Sequence, residues 1–231
     1  MTARLMDYTM RPPPIVILLV LLLCVAASAQ SPDLGIFGNN TSVGGKGATP
    51  GNGEFIPTTG DYRIVSGRGK LLAKNVMSTQ FQYLWKHVTG DFEIAATVKI
   101  LMRGYGDCTA GIMVRQTLNA DAKHADFMIH PNGIPELHWR SRPGEISNSF
   151  NFPAENPENV RVKLARKGIT FYLSAGKDDS SLRELAHVDV TFQDPVHLGL
   201  MVASDDLGAS AIALFSDVQL SPATAGLPAQ K

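Results

Sequence analysis

Three of the six histidines in this 231-residue chain fall in one short stretch, KHADFMIHPNGIPELHWR, from Lys123 to Arg140. Asp126, Glu136 and Arg140 share that stretch. Imidazole, carboxylate and guanidinium together donate and accept enough hydrogen bonds to hold a polyhydroxylated ligand. Imidazole with carboxylate also suits zinc or a similar ion. A pair of carboxylates at the right separation can hydrolyse a glycosidic bond. Which chemistry is open to them depends on which side chains share a face.

Alternation along a strand puts Ala125, Phe127 and Ile129 on one side and His124, Asp126, Met128 and His130 on the other. On the return strand Leu137 and Trp139 separate from Glu136, His138 and Arg140 in the same way. A two-residue Asn132-Gly133 turn would set Phe127 beside His138 and mix apolar with charged residues on both faces. A three-residue loop, Pro131-Asn132-Gly133, has the better turn chemistry: Pro at the second position, Asn at the third, and Gly in the left-handed residue of the closing bulge. It pairs Phe127 with Leu137 and Ala125 with Trp139. On the opposite side Met128 meets Glu136, Asp126 meets His138 and His124 meets Arg140. A one-residue slip would undo that segregation. The expectation is therefore a polar strip facing solvent, with Trp139 inward.

Read as a binding surface, the strip offers Arg115, His124, Asp126, Glu136, His138 and Arg140, with Tyr105 in the loop RGYGD as an exposed aromatic contact. Arg115 and Met113 should point outward from the preceding strand, Ile112 and Val114 inward. Asp126 would orient His138 and favour its charged form, and the arginines would supply planar donors. The bland alternative is a solvated face of cross-strand ion pairs, each worth only about 0.2–1 kcal/mol. A metal site is disfavoured: no H-x-H, H-E-x-x-H or cysteine pair occurs, and Arg140 opposite His124 repels a cation. No metal or cofactor is expected. Asp126 and Glu136 would be diagonal neighbours at roughly 7–8 Å, which leaves an inverting glycosidase pair geometrically open. No G-x-S-x-G elbow supports a serine nucleophile. Cys108 is a lone thiol expected to be structural. Phe81, Tyr83 and Trp85 alternate on one side of their strand and read as core.

The elements around this hairpin are almost all strands. Residues 1–29 carry Arg4 and Arg11 ahead of an apolar run from Ile15 to Ala27 and a small-residue cleavage site, the pattern of a secretory signal peptide. The run is short for a transmembrane helix, so no stable span is expected after cleavage. Residues 30–60 are rich in Gly, Asn, Thr and Pro and read as a flexible leader or an irregular domain edge. From residue 61 to 221 short alternating runs recur between turn residues, among them DYRIVSG, FQYLWKHV, DFEIAATVKIL, NVRVKLARKG, VHLGLMVAS and AIALFSDVQL. SSLRELAHV is too short to compete as a helix. This predicts one all-β domain, a two-sheet antiparallel β-sandwich. Residues 222–231 read as a disordered tail.

The leader takes away Arg4, Arg11 and Asp7, leaving 19 basic and 20 acidic residues. Such a balance gives no electrostatic reason to seek nucleic acid or an anionic membrane. Only Cys108 remains after cleavage, so no internal disulfide can form.

The segments VTGDFEIAATV, AGIMVRQTLNADAKHADFMIHPNG, NVRVKLARKG, HLGLMVASDD and FSDVQLS resemble, in order, the blocks of the DUF1349 family. These are concanavalin A-like (jelly-roll) domains of secreted bacterial proteins. The likeness spans about residues 61 to 221 and departs at LLAKNVMS, where relatives carry Asp-Ile-Trp, and at HPNG, which is commonly one residue longer. It implies the jelly roll, a secreted or periplasmic location, and little about activity. The retaining glucanases of this architecture carry an E-x-D-x-(x)-E strand, and no such run occurs here. The sequence thus predicts an exported, non-catalytic module binding a glycan or cell-envelope polymer. The alternatives are a glycoside hydrolase-like enzyme using Asp126 and Glu136, and an adhesion or assembly domain whose partner is another protein.

Overall fold

The computed structural model describes residues 32–44, 49–67, 81–103, 108–154, 158–204 and 208–222. The expected leader, Tyr105 and all of the expected tail except Pro222 lie outside them. Among the described residues are fourteen strands and one 3-10 turn at Asp179–Ser181. In chain order they are β1 (Asn39–Val43), β2 (Asn52–Ile56), β3 (Asp61–Val65), β4 (Phe81–Val88), β5 (Phe92–Met102), β6 (Cys108–Arg115) and β7 (His124–Ile129). They continue with β8 (Pro135–Arg140), β9 (Asn148–Asn151), β10 (Val160–Lys167), β11 (Thr170–Gly176), β12 (Arg183–Asp189), β13 (Val196–Ser204) and β14 (Ile212–Pro222).

Two seven-stranded sheets result, ordered β1-β4-β13-β6-β7-β8-β9 and β12-β11-β10-β5-β14-β3-β2. Every pairing is antiparallel. The fold is the expected jelly-roll sandwich. One face of most strands feeds a single core: Leu198, Leu200 and Val202 of β13, Ile112 and Val114 of β6, and Phe127 of β7 join Ile94 and Ala96 of β5, Val162 and Leu164 of β10, and Phe215 of β14. Cys108 is buried in that core, and Trp139 packs at its margin.

The domain begins earlier than residue 61. β1 pairs with β4 and β2 with β3, so each closes one edge of a sheet. The described strands of the Gly- and Asn-rich stretch, β1 and β2, therefore belong to the sandwich, as its edges. β9, made of the exposed residues Asn148 to Asn151, adds a further edge strand beyond β8. β9 lacks an apolar alternation because neither of its faces is buried.

The first sheet also buries its outer face. Phe81, Tyr83 and Trp85 do not enter the core between the sheets. They form a second apolar cluster on the outside with Val43, Met113, Met128, Met201 and Ala203. This is why β6 and β7 are buried at every position. Backbone approach is close here. A Cβ on Gly111 would lie 2.0 Å from the Phe127 carbonyl oxygen, and one on Gly199 would lie 1.9 Å from that of Leu84. Only glycine fits at either position without moving a neighbouring strand.

Gly199→Ala is therefore expected to lower stability by about 1–3 kcal/mol through overpacking. Gly38→Ala, which meets nothing within 4 Å, should stay within about 0.5 kcal/mol of wild type. Urea midpoints of the two variants check this, and equal midpoints would show that the strands can part.

Candidate functional site

The β7–β8 hairpin adopts the three-residue loop. His124 pairs with Arg140, Ala125 with Trp139, Asp126 with His138, Phe127 with Leu137 and Met128 with Glu136. His130 N donates to Ile134 O at 2.9 Å, Gly133 N donates to His130 O at 2.9 Å, and Gly133 has φ 78°. Phe127 is fully buried in the core, and the ionisable side chains lie on the opposite face. Cross-strand register extends that face into rows. One runs His87, His197, Arg115, His124, Arg140, and the next runs Trp85, Gly199, Met113, Asp126, His138, Ser149.

The strip is not the solvated surface that alternation suggested. Arg115 is 0% exposed, His124 and Asp126 1%, and Arg140 3%. The connection between β6 and β7, residues 116–123, folds over them and is held by the two arginines. Arg115 Nε donates to Thr117 O at 3.2 Å and its Nη2 to Asn119 O at 2.6 Å. Arg140 Nη1 donates to Ala120 O at 3.1 Å and to Ala122 O at 3.3 Å. Arg115 also lies over the Phe81 ring, 5.0 Å from its centroid. Most of the donors expected to meet a ligand are thus turned to backbone carbonyls, and Arg140 Nε is buried without a partner. Burial pushes both guanidiniums below the ordinary arginine value, and Asp126 and Asp121 oppose that by attraction.

Behind His138 lies the buried carboxylate of Asp126. Its Oδ2 is 2.9 Å from His124 Nδ1 and 3.4 Å from His138 Nδ1, while Oδ1 has no hydrogen-bond partner. The His124 contact is short but off the line of a well-formed hydrogen bond, since that nitrogen also counts as unpartnered. Burial alone would raise the Asp126 pKa, but the close approach of the His124 and His138 imidazoles holds it at about 2. Burial pushes His124 down to about 4, against the pull of Asp126. At neutral pH the pair is therefore a carboxylate beside an uncharged imidazole.

Two further chemistries can be weighed on this geometry. Ser147, which the sequence reading did not single out, has its Oγ 3.0 Å from His124 Nε2. Ser147, His124 and Asp126 thus have the connectivity of an acyl-transfer relay. A useful general base needs a pKa near the working pH, and His124 at about 4 is far weaker than that. The arrangement reads better as a scaffold for His138. His124, Asp126 and His138 each offer a ligand atom to a metal, all within 4.8 Å of one another. Charge argues against a divalent ion there. Arg115 and Arg140 already face Asp126 and Asp121 one for one, and two more positive charges would sit uncompensated in a buried site.

What remains accessible is the side of the strip nearest β9. His138 and Glu136 keep 18% and 15% of their side-chain surface, and Ser149 and Asn151 beside them are exposed. Glu136 Oε2 is 2.8 Å from His130 Nε2. Asn151 pairs with Glu136 and Ser149 with His138, so these side chains form one polar shelf. Ser149 and Asn151 escaped the sequence reading because β9 shows no apolar alternation.

No protein-family model and no curated protein matches the chain, so the DUF1349 assignment is not confirmed. Solved structures do match. A functionally unknown protein from Saccharomyces cerevisiae aligns with TM-score 0.61 at 12% identity, over 80% of this chain and 97% of its own. The carbohydrate binding module CBM66 from Bacillus subtilis aligns with TM-score 0.51 at 12% identity, over 80% and 97%. The GH43 BlXynB protein from Bacillus licheniformis aligns with TM-score 0.56 at 10% identity, over 74% of this chain but 34% of its own length. At such identities the likeness shows the jelly-roll fold.

His124 sets a pH dependence. Between its unfolded value of 6.5 and its folded value of about 4, the unfolded chain binds a proton that the folded chain refuses. Stability should therefore fall as pH drops from 6.5 to about 4, by roughly 3 kcal/mol, and this term should level off below. Asp126 acts lower: its depressed pKa adds stability above 3.8 that is lost towards about 2. His124→Asn should remove most of the decline between pH 6.5 and 4 in urea midpoints. An unchanged slope in that variant would exclude His124 as the buried neutral group.

Proposed function

We propose that the chain is an exported, non-catalytic module that binds a glycan or cell-envelope polymer on the outer face of the first sheet. The observation that carries this reading is the polar shelf of His138, Glu136, Ser149 and Asn151, backed by the buried Asp126. It offers accessible donors and acceptors side by side, on strands rather than on mobile loops. His138 turns Nδ1 towards Asp126, 3.4 Å from Oδ2, which leaves Nε2 to hydrogen-bond a sugar hydroxyl. The arginines hold the loop and keep the shelf in place, and His124 and Asp126 orient His138.

The fold is shared with a carbohydrate binding module and with part of a GH43 protein, which supports a sugar-related role. The leader pattern supports export, and the DUF1349-like blocks point to the same secreted setting. A glycosidase using Asp126 and Glu136 has less support, because both carboxylates are engaged. Asp126 is buried with Oδ2 shared by two imidazoles, and Glu136 is held by His130. Neither is placed to activate a water.

On an array of plant, fungal and bacterial polysaccharides, binding should be lost or weakened about tenfold in His138→Ala, about 1.4 kcal/mol. Asn151→Ala should weaken it less, and no reducing sugar should be released. Release of reducing sugar that Glu136→Gln abolishes would replace the binding reading with an enzyme.

A further inference from the structure

The outer face of the second sheet carries a separate pocket of about 510 Å³, within the range of small-ligand sites. Its floor is Thr97 of β5, Arg161 of β10, and Asp217 and Gln219 of β14. One wall is the β11–β12 connection, with Lys177, Asp178 and Asp179, and Asn159 completes the rim. We propose that this pocket is a second ligand site and that it takes a neutral sugar unit, at a chain end or as a short oligosaccharide.

Three independent features mark it as built. Arg161 is 2% exposed, yet Nη2 has no hydrogen-bond partner. Its other donors are fixed: Nε gives to Asp179 Oδ1 at 2.7 Å and Nη1 to Asp217 O at 2.8 Å. Asp217 is the one non-glycine residue with positive φ among the described residues, at 51°. It sits where the β14–β5 register shifts between Ser216 and Gln219. A bulge of this kind re-aims side chains and recurs beside binding sites, and its strain is kept only where the surroundings enforce it. The wall is also preformed. Asp178 Oδ1 accepts from Ser180 Oγ at 2.7 Å and from Ser181 N at 3.0 Å, and Ser181 Oγ accepts from the backbone N–H of Lys177 and Asp178.

Charge and chemistry narrow the ligand. Arg161 and Lys177 face three carboxylates, so an anion gains no net attraction. A divalent cation finds Asp178 committed to the serines and Asp179 to Arg161, with two cationic side chains in the wall. Among the described residues no aromatic ring lines the pocket, which gives a sugar ring no stacking platform there. What remains is a mixture of donors and acceptors suited to a ring of hydroxyls. Seating one against Arg161 would give Nη2 its missing acceptor.

This site takes the ligand class proposed for the shelf but lies on the other sheet, so either can fail alone. The test is an amide NMR titration of the whole protein with neutral oligosaccharides, uronate-bearing oligosaccharides and CaCl2. A neutral oligosaccharide should shift amides at 159, 177–179 and 217–219. Asn159→Ala with Gln219→Ala should weaken that effect about tenfold, and His138→Ala should leave it unchanged. Asp217→Gly, which suits the left-handed backbone, should hold or raise Tm while lowering affinity at these amides. Shifts with calcium or uronates alone, no shifts with any neutral oligosaccharide, or full affinity in the double variant would each overturn the proposal. Loss of the response in His138→Ala would place the site on the shelf instead.

Discussion

Two buried guanidiniums organise the outer face of the first sheet. Moving a charge from water into a protein interior costs several kcal/mol unless it is paired and hydrogen-bonded. Arg115 and Arg140 meet that demand with four carbonyls from residues 116–123 and with the Asp126 carboxylate nearby. The ends of the loop are tied elsewhere, Gln116 to Gln193 and Lys123 to Thr191 O, and Leu118 packs against the outer cluster; over its middle the arginines supply the polar anchors. The dependence runs both ways, since the loop needs the arginines for its place and the arginines need its carbonyls to stay buried. Once the loop is down, His124 and Asp126 lose water, and the pKa of His124 falls because an imidazolium there would be poorly solvated.

That single constraint explains why the site is graded from dry to wet. Across the sheet from β6 to β9, Arg115, His124 and Asp126 are buried, His138 is partly open and Ser149 is exposed. Polar groups that would be costly alone support one another inward, and the outermost members can exchange water for a ligand. The loop carbonyls fix the arginines, and the arginines and imidazoles surround Asp126, so the inner part of the strip holds the geometry of the outer part.

How far the sequence could be read follows from the range of each interaction. The hairpin register was legible because Pro131, Asn132 and Gly133 encode their own turn, and because Phe127, Leu137, Ala125 and Trp139 segregate only in that register. The strands of the core were legible by alternation. Burial of the outer face was not, because its cover is a loop whose hold is backbone carbonyls, which every residue possesses. Phe81, Tyr83 and Trp85 were expected inside for their apolarity, and apolarity does not say which of two buried faces a strand supplies. β1, β2 and β9 were missed because edge strands need little apolar content.

The pocket on the second sheet lies further beyond a sequence reading. Arg161, Asp179 and Asp217 come together across 56 residues of chain, and no local pattern announces them. Asp217 occupies a backbone conformation that glycine would adopt at less cost, and its carbonyl is the group that fixes Arg161. If the bulge served only to shift the register of β14 on β5, a glycine would serve it better, and the carboxylate would be incidental. An aspartate there, in the floor of a pocket and beside an arginine whose Nη2 lacks an acceptor, is better explained by what its side chain can offer to a molecule that enters.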